Sequence, residues 1–231
     1  MSDNHDSKIR LFLTVEERLY RDALLYELVH QKDIELVGES YNGLETLNCL
    51  NVCSPSTLVI EEDLKDTDGL TISEMALAQH PSLSIILLVD TEISQNRLAI
   101  YLDSGIKSVI SKTQSIHDLS QAVNYTRNGQ IFIDSERFKG TQKTVGHSNT
   151  KNHGWQSELF CSLSDREKEV ATYIARHIPL NSIAEQLGVS QKTVHTYKER
   201  IFIKLGFQRL PELVVFMKRL DFALARKGNC L

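Results

Sequence analysis

The chain has 231 residues, enough for one or two domains with real cores, and its 41% hydrophobic content is that of a soluble globular protein. No apolar run approaches bilayer length and the opening MSDNHDSKIR lacks an apolar segment, so neither a membrane span nor a signal peptide is expected. The net charge of −4 conceals a division: residues 1–138 carry 11 Lys/Arg against 22 Asp/Glu (net −11), and residues 139–231 carry 15 against 8 (net +7). An acidic half joined to a basic half directs any polyanionic partner to the second half. Cys49, Cys53, Cys161 and Cys230 are scattered, with no CxxC pair and no His at ligand spacing. Reduced, inert thiols, a cytoplasmic location and no metal site are expected from them.

Strand and helix signals alternate over residues 8–128. Lys8–Val15 is a short apolar run, and Glu17–Gln31 is helical, with Leu24, Leu25 and Leu28 at helical spacing. Ile34–Glu39 reads as strand, Gly43–Leu50 as helix and Thr57–Glu61 (TLVIE) as a buried strand. A loop ending in Asp68-Gly69 leads into a helix to about His80. Ser84–Val89, Glu92–Asp103, Lys107–Ser111 and Ile116–Asn128 continue the alternation. Five apolar strands separated by helices predict a doubly wound parallel sheet, an α/β domain whose ligands gather at the carboxyl ends of its strands. Here those ends are Val15/Glu16, Glu61, Val89 and Lys112.

The first 130 residues resemble the receiver domain of bacterial response regulators, and the resemblance includes the strand that often trails it, here Ile131–Asp134 (IFID). The resemblance implies two acids after the first strand that bind Mg²⁺, an Asp ending the third strand that accepts phosphate, a Thr or Ser ending the fourth and a Lys ending the fifth. A carboxylate nucleophile needs that metal and that Lys to offset the charge of the incoming phosphoryl group. This chain departs from the pattern. The acid pair is Val15-Glu16, the acceptor position is Glu61, the hydroxyl position is Val89, the aromatic of the fifth strand is Val109 and the loop Pro is Lys65; Lys112 alone is in place. The domain therefore reads as a pseudo-receiver without phosphorylation chemistry, cofactor or bound metal. Glu61, one methylene longer than Asp, is within reach of Lys112 and would partly imitate an acyl phosphate, or simply form an acidic strand end paired with that Lys. Asp63, two residues on, is a rival acceptor placed in the loop.

Residues 136–157 are polar and rich in Gly, Ser, Thr and Asn, a flexible linker containing His147 and His153 and ending beside Trp155, which is expected to pack on a domain. The remainder is all-α. Ser164-Asp165-Arg166-Glu167 is a capping box opening a helix to about His177, Pro179 interrupts, Leu180–Leu187 is a short helix, and Gly188-Val189-Ser190 turns into Gln191–Lys204. A fourth helix covers Leu210–Leu220. At 100° per residue Val194, Ile201 and Leu205 share one arc of the third helix, while Lys192, Thr196, Glu199 and Ile203 point the opposite way, flanked by His195 and Arg200. At about 21 Å the helix is long enough to lie in a DNA major groove.

LSDREKEV and SIAEQLGVSQKTVHTYKERIFIKLG closely resemble the LuxR-type helix-turn-helix domain of NarL/FixJ-like response regulators over about 60 residues. The resemblance implies a transcription regulator rather than an enzyme, with double-stranded DNA as its partner. Lys192, His195, Thr196 and Glu199 are candidates for base edges. Thr193, Lys198, Arg200, Lys204 and Arg209 are candidates for phosphate, and Tyr197 sits at the edge of the buried arc. A homodimer is expected, with Leu213, Val214 and Met217 as candidate contact residues unless they close the domain's own core. The second functional class is an interaction protein whose receiver fold recruits RNA polymerase or another regulator, with DNA contact secondary. The domain assignment is 8–135 receiver-like, 136–157 linker and 158–231 helix-turn-helix.

Overall fold

The structure, a computed structural model, describes residues 8–127, 129–133 and 154–228. It separates into two compact units. Among the described residues the first holds everything up to Ile93 and from Tyr101 to Ile133, and the second holds Ser94–Ile100 and the chain from residue 154 onward.

The first unit alternates strand and helix: β1 (Ile9–Thr14), α1 (Arg18–Val29), β2 (Ile34–Ser40), α2 (Gly43–Cys53), β3 (Thr57–Glu61), α3 (Gly69–Gln79), β4 (Ser84–Val89), α4 (Gln95–Asp103), β5 (Ser108–Ser111) and α5 (Ile116–Thr126). All strand pairings are parallel, in the order β2-β1-β3-β4-β5. Every residue of β3, β4 and β5 is buried, as strands covered on both faces require. Ile9, Leu11, Leu13, Val59, Ile86, Leu88 and Ile110 form one face and pack with Leu24 and Leu28 of α1 and Leu119, Ala122 and Val123 of α5. Strand alternation turns the equally buried Phe12, Leu58, Ile60, Ile85 and Leu87 to the other face.

Local chemistry sets the helix starts. Asn42 caps α2 through Glu45 N–H, and Asp66 accepts from the N–H groups of Gly43 and Leu44 at 3.0 and 2.9 Å. Asp68 caps α3 through the Thr71 N–H. At Gly69 a Cβ would lie 2.1 Å from the Glu61 carbonyl oxygen, so glycine alone lets α3 start against the end of β3. The expected strand at Ile131–Asp134 shrinks to one bridge, Phe132 beside Ser108. Asp134 lies outside the described residues. Phe132 is retained by packing instead, against the core and the Tyr125 ring at 5.3 Å.

The second unit contains α6 (Gly154–Cys161), α7 (Asp165–Ala175), α8 (Leu180–Leu187), α9 (Gln191–Leu205) and α10 (Leu210–Gly228). The four expected helices are present, and α6 precedes them, so the last residues assigned to the linker are helical; residues 136–153, with His147 and His153, lie outside the described residues. Trp155 packs on Phe216, its ring 6.1 Å away, which is why the chain turns helical there. Gly188 (φ 65°) ends α8 in a left-handed conformation and allows the tight turn into α9. Leu213, Val214 and Met217 are buried with Val215, Phe216 and Leu220. Their burial favours closing a core, one of the two roles the sequence leaves open, over an exposed dimer contact. Glu212, fully buried, accepts from the N–H groups of Gln208 and Arg209 and so fixes the start of α10.

Candidate nucleic-acid interface and strand-end pocket

In a doubly wound sheet the ligand site falls where the strand order reverses. In the order 2-1-3-4-5 that point lies between β1 and β3, and it is occupied by Glu16 and Glu61. Glu61, 1% exposed, ends β3 and is engaged from within: Glu16 N–H donates to its Oε2 at 2.6 Å, and the Lys112 ammonium forms an ion pair with its Oε1 at 2.6 Å. Lys112 also pairs with Asp90 Oδ1 at 2.7 Å and stands 5.6 Å over the Tyr20 ring. Burial pulls the Lys112 ammonium down, but the hydrogen bonds and charges of Asp90 and Glu61 outweigh it and hold it above its ordinary value. The Glu16 carboxylate turns outward to Lys65 at 2.5 Å, while Val15 and Val89 are fully buried and offer no polar atom. Asp63 is exposed in the loop after β3.

A receiver's Mg²⁺ would draw on carboxylate oxygens turned toward the pocket here. One Glu61 oxygen is held by an N–H and the other by an ammonium, and Glu16 faces away to a lysine, so these residues do not fit the ion. No group of three His, Cys, Asp or Glu side chains placed to hold a metal occurs among the described residues. The cysteines described, Cys49, Cys53 and Cys161, are free thiols.

The other site is the outer face of α9. Ser190 caps the helix, its hydroxyl accepting from Thr193 N–H at 3.1 Å, and Gly206 (φ 69°) ends it. Val194, Ile201 and Leu205 are 0% exposed and root the helix in the core. Lys192, His195, Glu199 and Arg200 are exposed, and among the described residues no hydrogen bond or ion pair within the protein engages their side chains. Thr196 is half-buried and its hydroxyl donates to the Lys192 carbonyl at 3.1 Å. The half-buried Lys198 places its Nζ over the Phe202 ring, 5.7 Å from the centroid, and Tyr197 is half-buried as its place beside the core arc requires.

Three residues assigned to phosphate have structural partners. The Thr193 hydroxyl is 2.8 Å from that of Ser190, inside the cap. Arg209 is half-buried at the start of α10. Lys204 Nζ is 2.6 Å from Oε2 of Glu167, which is buried beneath it. That pair ties α9 to α7, with the Lys204 side chain still 41% exposed. Glu167 is the residue sequence reasoning undervalued. It completes the capping box with Ser164, accepting the Ser164 N–H at 2.8 Å, and carries the Lys204 pair on the same oxygen. Burial pushes its carboxyl up, but Lys204 and the Ser164 donors outweigh that and leave it below the usual carboxylate range. The capping half of this role is visible in SDRE; the other partner lies 37 residues away.

A family model for bacterial regulatory proteins of the luxR family matches residues 161–217, the stretch containing α7, α8 and α9. A Pseudomonas aeruginosa protein described as a transcriptional regulator is 30% identical over 198 residues, 85% of this chain and 91% of that protein. The response regulator VraR of Staphylococcus saprophyticus is 25% identical over 208 residues, 90% of this chain and 95% of VraR. In fold, the chain is similar to RcsB in a structure of two RcsB dimers bound to two parallel DNAs, with TM-score 0.59, 22% identity, and coverage of 92% of this chain and 98% of RcsB. With these matches the chain belongs to the luxR family of bacterial regulatory proteins, as a response regulator with a receiver-like fold before its helix-turn-helix. It is a transcription regulator and not an enzyme. No helix among the described residues is long and apolar enough to cross a membrane.

Proposed function

We infer that this chain is a cytoplasmic, sequence-specific DNA-binding regulator that reads a major groove with α9 and acts without phosphorylation of its receiver-like domain. The carrying observation is the outer face of α9, where Lys192, His195, Glu199 and Arg200 stand exposed with no side-chain partner among the described residues while Val194, Ile201 and Leu205 opposite are fully buried. Cations, an imidazole, a carboxylate and the Thr196 hydroxyl on one helix are the groups that grip phosphates and discriminate base edges. Lys192, His195, Thr196 and Glu199 face the bases. Lys198 and Arg200, with Thr193 and Arg209 at the margins, face the backbone, and Lys204 serves mainly to hold the helix.

Independence from phosphorylation rests on the strand-end pocket. Glu61 occupies the acceptor position and both its oxygens are engaged by groups that would otherwise receive a phosphoryl oxygen or a metal-bound acid. In this reading the Glu61–Lys112 pair stands where an acyl phosphate would be. The chain works as a homodimer on two-fold half-sites, a reading supported by the dimers of RcsB on DNA and by the economy of paired half-sites. The domains run 8–135 and 158–231 about the linker, with α6 marking the start of the reading unit. RNA polymerase or a second regulator is a further partner of the receiver-like domain.

The test pairs two measurements on the full chain. Binding to a genomic fragment library at fixed salt should select discrete sites above the level of heparin-displaceable binding, and incubation with acetyl phosphate and Mg²⁺ should leave no hydroxylamine-sensitive phosphate. Uniform binding to all fragments defeats the first half of the reading, and stoichiometric labelling defeats the second.

A further inference from the structure

The outer face of α9 carries one side chain that neither phosphate nor a hydrogen-bonding base edge explains. Ile203 is 79% exposed. It lies nine residues after Val194, about two and a half turns, and so sits directly opposite the buried arc, between the directions of Lys192 and Thr196. Val194, Ile201 and Leu205 are fully buried and Tyr197 and Phe202 half-buried, so Ile203 is the apolar side chain that α9 gives wholly to solvent. Its position is fixed, because on either side Ile201 and Leu205 are core and Lys204 is tied to Glu167 at 2.6 Å.

Resting on the reading of α9 as the groove-entering helix, we propose that Ile203 is a specificity residue that recognises the 5-methyl group of a thymine. Among the groups base pairs display in the major groove, that methyl is the one an aliphatic side chain can recognise; the others are donors and acceptors that an isoleucine would desolvate without return. The spacing suits it. Seven residues separate Thr196 from Ile203, about 10.5 Å along the axis at 1.5 Å per residue. That is about three base steps of 3.4 Å, so a base-edge contact at Thr196 and a methyl contact at Ile203 fall on bases in register. The bound site therefore carries a required thymine about three steps from the base read by Thr196, at the end of the contact served by the last turn of α9.

The experiment starts from a randomised duplex library selected with the full chain, wild type and I203A in parallel. In the site recovered with wild type, each dT is then replaced singly by dU, which removes the methyl and nothing else. Wild type should lose about fourfold in affinity at one dU position, the worth of about one buried methyl, and I203A should be indifferent at that position while keeping the wild-type melting curve. If wild type recovers a site but no dU weakens it, or if I203A responds to dU as wild type does, Ile203 does not read a methyl, and the DNA-binding reading stands. If wild type recovers no site at all, the reading of α9 falls and takes this inference with it.

Discussion

The strand-end pocket and the outer face of α9 are built from the same kinds of side chain and use them in opposite ways. In the pocket Glu61, Lys112, Asp90, Glu16 and Lys65 neutralise one another within 2.7 Å, down to an N–H donated by Glu16 itself. On α9 Lys192, His195, Glu199 and Arg200 have no such partners among the described residues. A charge satisfied internally has little left for a ligand, whereas one left in water loses only hydration when a phosphate replaces it. Site chemistry is thus told less by which residues are present than by whether their charge is already committed.

The largest effect that would break the comparison comes from the pocket. Lys112→Ala strands Glu61, 1% exposed, without its cation, and should cost about 3 kcal/mol in denaturant unfolding of the first unit. Adding Glu61→Leu should recover most of that loss, because removing a buried pair together is far cheaper than removing one partner. A Lys112→Ala protein that melts normally would mean the pair is open to water.

Next comes Lys204→Ala. It should destabilise the second unit by about 1–3 kcal/mol by leaving Glu167 buried and unpaired, and should leave the salt slope of DNA binding almost unchanged. Lys198→Ala and Arg200→Ala should do the reverse: an unaltered melt, weaker binding to every sequence, and a salt slope lowered by about one for each phosphate left without its cation.

The pH dependence sharpens the same contrast. Glu167 has a folded-state carboxyl held below its ordinary value, so its contribution is present above the unfolded value near 4.5 and is lost as pH falls through the lower folded value. Glu167→Gln should flatten the acid limb of the second unit's stability curve below about pH 4.5. The smallest effect belongs to Lys65→Ala. Its side chain is 84% exposed and its pair with Glu16 lies in water, so the denaturation midpoint should not move.

Much of this was legible in the order of residues. Unbroken apolar runs such as TLVIE and SIILLV announced strands buried on both faces, and the SDRE box and the Gly188 turn announced α7 and the entry to α9, because those signals act within a few residues. Glu61 beside Lys112 was legible too, since strand ends of a doubly wound sheet converge. What escaped depends on residues far apart in the chain. Gly154–Gln156 look like linker until Trp155 meets Phe216, and nothing near Lys204 in the chain announces its pair with Glu167. Leu213, Val214 and Met217 could be divided between a dimer seam and a core only by their burial. IFID carried a strand's pattern, yet one bridge formed, because pattern sets the preference of a segment and not its pairing partner.

One oxygen of Glu167 both starts α7 and grips the final turn of α9. The two helices are therefore coupled in pitch, and under the proposed DNA-reading role α9 would meet a duplex already aimed. The conformational entropy of orienting it is lost at folding rather than at the encounter, which favours fast, salt-steered association over adaptive wrapping. A family member lacking that carboxylate would have to complete its aim on the DNA itself.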